Sequence, residues 1–65
     1  MSELVDDFMK VTAVIESCRT EEQTEVAKHV ISKFLEKHKK DEYIYPAWRM
    51  LLYIIIKKER ELGCL

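Results

Sequence analysis

The chain uses proline once, at Pro46, and glycine once, at Gly63. These two residue types are the strongest local punctuators of backbone structure. A chain that has one of each must be built from long, uninterrupted elements. Hydrophobic spacing decides which kind. Leu4, Phe8, Val11, Ile15 and Cys18 follow one another at intervals of 4, 3, 4 and 3, the pattern that lines side chains along one stripe of an α-helix. Ser2 is placed to cap that helix, and Glu3, Asp6 and Asp7 complement the positive end of its dipole. A first helix is expected over residues 3–18.

The next stretch, ESCRTEEQTEVAKHV over residues 16–30, packs a cysteine, a histidine and four glutamates together. It reads as either a reactive site or a joint. Thr20 followed three residues later by Gln23 is a capping box, in which the hydroxyl accepts from an early backbone N–H and the amide reaches back toward the cap. Glu21, Glu22 and Glu25 then sit where a helix dipole favours anions. A second helix is expected over residues 21–39, with Gln23, Ala27, Val30 and Phe34 on one line, Val26 and Ile31 widening it, and Lys37, His38, Lys39 and Lys40 at its negative end. On this wheel His29 lies opposite the apolar face, while Cys18 belongs to the buried stripe. In a hairpin folded at Arg19 and Thr20, His29 is ~13 Å along the second helix from the joint. A nucleophilic pair needs about 2.6–3.2 Å. The stretch is therefore a joint.

Pro46 disfavours helix at Tyr45 and suits the first turn of a new helix. The third helix is expected over residues 46–62, closed by Gly63, with Lys57, Lys58 and Arg60 at its negative end. At a rise of about 1.5 Å per residue the three helices come to ~24–27 Å each. Matched lengths and short connections describe an all-α, antiparallel up-down-up three-helix bundle, one domain over residues 1–65. Such a bundle sets the basic end of the second helix beside acidic starts of the first and third.

Sixty-five residues bring a second constraint. Below roughly 70–80 residues one core seldom supplies more than about 3–5 kcal/mol, and small chains commonly gain stability by associating. The third helix carries more apolar surface than one partner needs. Trp48, Leu51, Leu52, Ile55 and Leu62 form its stripe, and Ala47, Ile54 and Ile56 widen it to an arc of roughly 200°, where a surface helix shows somewhat over 100°. Met50 and Tyr53 fall on the remaining side, and in the first helix Val5, Met9 and Ala13 make a weaker second stripe. Val5, Met9, Met50, Tyr53 and Ile54 are accordingly the candidate interface for a homo-oligomer or a protein partner. The plain alternative is that the third helix is central and both others bury its arc.

Other chemistries find less in the chain. Arg49, Tyr53 and Lys57 offer a fork, a ring and a point charge to a small anionic ligand such as a nucleotide. KFLEKHKK over residues 33–40 offers Lys37, Lys39 and Lys40 to a nucleic-acid backbone, with Tyr43, Tyr45 and Trp48 nearby as stacking groups for bases, yet a net charge of −1 from 11 basic and 12 acidic residues supplies no steering field. His29 and His38 are nine apart and neither Cys18 nor Cys64 belongs to a paired-cysteine motif, so no metal, no cofactor and no catalytic residue is expected. The sole glycine leaves no phosphate loop. The longest apolar run, MLLYIII over residues 50–56, falls short of the ~20 residues a membrane span requires. An acidic start, two distant cysteines and a C-terminal Gly-Cys-Leu that is too short for prenylation point to a soluble protein of the cytoplasm.

IESCRTEEQTEVAKHVI and, downstream, YIYPAWRMLLYIIIKKERELG resemble small helical accessory proteins of tailed bacteriophages, in which a helix ends in a Ser-Cys pair and a Thr-x-x-Gln box opens the next. The likeness runs loosely over residues 15–62, and departs from the pattern at Thr24, where an apolar residue is expected. It implies a short protein acting in a bacterial host's cytoplasm by binding a host or defence component, or by sequestering a small signal. It carries over no catalytic residue.

Overall fold

A computed structural model describes residues 3–63. Within them run three helices, α1 (Glu3–Glu16), α2 (Glu21–Lys37) and α3 (Ile44–Glu61), all three packing against one another as a three-helix bundle of 34 × 16 × 16 Å. The contacts give the directions. The start of α1 meets the end of α2 through Lys37 and Asp7, and Lys58 near the end of α3 reaches the end of α1. So α2 runs against α1, and α3 runs with α1. The expected position of Ser2 as a cap lies outside the described residues, as does Cys64.

The Thr20 joint forms nearly as the sequence implies. Thr20 Oγ1 accepts from Gln23 N at 3.2 Å, and Gln23 Oε1 accepts in return from Arg19 N at 2.6 Å, one residue short of the cap itself. Serving the joint takes Gln23 out of the helix face. The buried line of α2 keeps Ala27, Ile31 and Phe34 of the expected face but has Thr24 where Gln23 was expected, with Val30 only partly buried and Val26 exposed. Thr24 sits fully inside because its hydroxyl donates to Glu21 O at 2.6 Å, which satisfies the one polar atom an apolar residue would lack.

All three helices differ from their expected bounds. Backbone donors explain each case. At the end of α1, Cys18 N donates to Ile15 O, a three-residue reach that tightens and ends the helix. Cys18 is thereby turned into the joint, where it is buried as its stripe implied. At the end of α2, His38 is a cap whose N–H reaches Phe34 O. The start of α3 lies two residues ahead of Pro46, with Tyr45 helical. The first α3 hydrogen bond is Ala47 N to Tyr43 O, so Pro46 stands in the turn whose donors have no intrahelical partner and its missing N–H costs nothing. No acid occupies that first turn, which corrects the acidic start expected for the third helix. Asp41 Oδ1 accepts from Tyr43 N instead, at 2.9 Å. Gly63, at φ 78°, takes the left-handed position that ends α3.

The core is Leu4, Val11, Ile15 and Cys18 from α1 and its joint, Ala27, Ile31 and Phe34 from α2, and Ile44, Leu51 and Ile55 from α3. Trp48, Leu52, Ala47, Ile54 and Leu62 pack partly buried against it. Most of the wide apolar arc of α3 is thus taken up by its two neighbours. The central-helix alternative accounts for that arc, except at Ile56, which stays exposed.

Candidate functional site

Two of the three seams between helices are crossed by ion pairs. Between α1 and α2, Lys37 Nζ lies 2.9 Å from Glu3 and 2.8 Å from Asp7, and His38 Nε2 lies 2.7 Å from the same Asp7 oxygen. The His38 ring is buried, tilted against Phe34 at 5.2 Å, and Phe34 in turn meets Phe8 edge-on. Lys37 first, then His38, holds the Asp7 carboxyl below the ordinary value of 3.8, while Asp7 and Glu3 raise Lys37 above 10.5. Between α2 and α3, the buried Glu59 meets Lys28 at 3.0 Å, with Glu25 on the other side of the ammonium at 3.2 Å. These two carboxylates raise Lys28, Glu59 contributing most. Neither the Asp7–His38 pair nor the Glu59–Lys28 pair is visible from local spacing, because the partners stand 31 residues apart in each.

The α1–α3 seam is built otherwise. Among the described residues no side-chain ion pair crosses it. Its polar link lies at one end, where Lys58 Nζ donates to Glu16 O at 3.0 Å and satisfies a carbonyl the helix end leaves without a partner. Toward the other end runs a shallow groove with Leu4, Val5 and Phe8 on one wall and Tyr43, Pro46, Ala47 and Met50 on the other. Both helices contribute because their second stripes point the same way. Val5 and Met9 are one turn apart on α1, and Pro46, Met50 and Tyr53 follow at 4 and 3 on α3.

Of the five candidate interface residues, four are open to solvent: Val5 at 46%, Met9 at 62%, Met50 at 53% and Tyr53 at 66%. Ile54 is different. It packs partly buried on the core and lines a separate hollow with Ile15, Glu16, Tyr53 and Lys57. Tyr43 and Tyr45, read in the sequence as neighbours of the helix and as stacking groups for nucleic acid, are both exposed beside Pro46 and extend the same face.

The residues proposed for a small anion are not gathered into one pocket. Arg49 shares a surface with Tyr45, Pro46, Met50 and Tyr53, whereas Lys57 lines the hollow by Ile54 and Glu61, two turns away. Tyr53 stands between them. Of the lysines proposed for a nucleic-acid backbone, Lys37 is held by Glu3 and Asp7, and Lys39 lies 3.5 Å from Glu36. Lys40 is exposed. Cys18 Sγ donates to Val14 O at 3.4 Å inside the joint, and His29 is on the surface, so the two do not meet. Among the described residues no three of His, Cys, Asp or Glu converge as a metal ion requires, and no helix is long and apolar enough to cross a membrane. Comparison with known proteins returned no matching family model, no matching curated protein and no matching solved structure.

Proposed function

We propose that the chain is a non-catalytic interaction protein whose working surface is the outer face shared by α1 and α3, and that it self-associates through this face. The observation that supports the reading is the contrast between seams: α1–α2 and α2–α3 are tied by carboxylate–cation pairs, while α1–α3 presents Val5, Met9, Met50 and Tyr53 to solvent around an apolar groove. Exposed apolar surface gathered in one place marks association sites. Aromatic residues and methionine are the types enriched in their centres. A stable complex takes about 800 Å² from each partner, roughly a sixth of this chain's 4914 Å², so one face of a bundle this size is enough.

The same face could receive a host or partner protein, which is the role the likeness to phage accessory proteins implies; the comparisons lend that likeness no support. Sequestration of a nucleotide-like anion is a second reading, favoured by Arg49 lying on one surface with Tyr45 and Tyr53. Heat on titration with nucleotides, lost in Arg49→Ala, is its mark.

Ile54 supports the core, so replacing it confuses interface with fold. Met50 and Tyr53 do not carry that burden. The double variant Met50→Glu with Tyr53→Glu should keep its helical circular dichroism and fall to the mass of a single chain. An unchanged mass in solution removes the proposed face.

A further inference from the structure

The outer face of α3 carries its own electrostatic complement. Pro46, Met50, Tyr53 and Lys57 recur at 4, 3 and 4, one stripe of the helix, and all four are exposed. Glu42 precedes them in the turn that leads into α3, and it too is exposed. The turn before this stripe thus carries an exposed acid and Lys57 stands toward its other end, followed on the last turn by Arg60 and Glu61. Among the described residues neither Glu42 nor Lys57 enters an ion pair.

Flanking charges of this kind set the orientation in which helices associate. Two copies laid parallel across this face would set Glu42 against Glu42 and Lys57 against Lys57. Laid antiparallel about a two-fold axis, each Glu42 meets the Lys57 of the other copy. A two-fold interface repeats every contact, so the match occurs twice. The same register brings Pro46 of each copy to Tyr53 of the other and sets Arg49 beside Met50 of the other copy next to the axis, with Glu42 and Lys57 at the two ends.

We infer that the chain forms an antiparallel two-fold dimer across α3, in a register that pairs Glu42 of each copy with Lys57 of the other. This rests on the self-association proposed above and adds its partner, direction and register. The occupant is a second copy because the face is complementary to itself.

Charge exchange tests the register. The dissociation constant of the dimer is measured by sedimentation for the native chain, Glu42→Lys, Lys57→Glu and the chain carrying both changes. Each single change places like charges together at two symmetric sites, and is expected to weaken the dimer by roughly fivefold to tenfold. The double change restores opposite charges and should recover native affinity. An equimolar mixture of the two single variants should associate more tightly than either alone, which holds even if one variant loses some helix stability. A native dimer whose affinity ignores both single changes, or is not recovered by the double change, overturns the register and leaves self-association standing. A native chain that stays monomeric overturns both.

Discussion

The seam between α1 and α2 and the seam between α1 and α3 share a helix and are closed by different means. On the first, Asp7 turns to Lys37 and His38, and Phe8 and Phe34 meet beneath them. On the second, Val5 stands on the same helix across an apolar groove from Pro46 and Met50, and Met9, one turn on, is exposed. Exposed ion pairs contribute little to stability, about 0–1 kcal/mol each, so the difference teaches less about strength than about completeness. A seam rimmed by matched charges is finished within one chain. The α1–α3 face leaves apolar side chains in water, which a chain of this size tolerates at a cost to solubility unless something covers them.

The sharpest break of the comparison runs across α3 itself. Leu51 is fully buried and Tyr53, two residues on, is 66% exposed. Leu51→Ala should cost about 2–5 kcal/mol, enough to unfold much of a population whose core supplies about 3–5 kcal/mol. Tyr53→Ala should shift the stability of dilute chain by less than about 0.5 kcal/mol. Urea midpoints measured at low concentration compare the two, and similar losses would mean that the outer face belongs to the fold.

The charged seams offer the next test. Glu59 is buried and its cation, Lys28, is half exposed, so the pair should respond unequally. Lys28→Met strands a carboxylate and is expected to cost about 1–3 kcal/mol. Glu59→Met leaves only a lysine free to reach water, and should cost less or stabilise. Equal losses in thermal melts would show that the carboxylate is better hydrated than its place between α2 and α3 implies.

The smallest effect is a dependence on pH. Asp7 is held below 3.8 by Lys37 and His38, so the unfolded chain takes up a proton at that carboxyl before the folded chain does. Its contribution is complete above the ordinary carboxylate range and disappears as pH falls through the lower, folded value. Asp7→Asn should therefore be less stable than the native chain at neutral pH, with the gap narrowing in acid below about pH 4. A gap that holds constant into acid would remove the charge of Asp7 from the account of this seam.

How far the sequence can be read follows from what each feature depends on. The helices, the Thr20 joint and the burial of Cys18 are local matters of spacing and capping, and they appear in the structure close to where spacing puts them. The helix over Tyr45 and Pro46 was readable in principle, since a proline early in a helix gives up a donor that has no partner there anyway. The burial of Thr24 in place of Gln23 was not, because Gln23 can serve the joint or the face and only the tertiary structure chooses. His38 and Glu59 look like surface charges until Asp7 and Lys28 arrive from another helix. Of the candidate face, Val5, Met9, Met50 and Tyr53 were legible as apolar residues off the main stripe. Ile54 packs partly on the core, because α3 meets two neighbours, whose combined contact takes in more of its circumference than one partner would.

Absolute mass by light scattering, over a concentration series of the native chain, addresses the α1–α3 face most directly. Self-association predicts a multiple of 7.8 kDa that falls toward the single-chain value on dilution. A mass of 7.8 kDa at every concentration would contradict it, and would leave the face to a partner other than this chain.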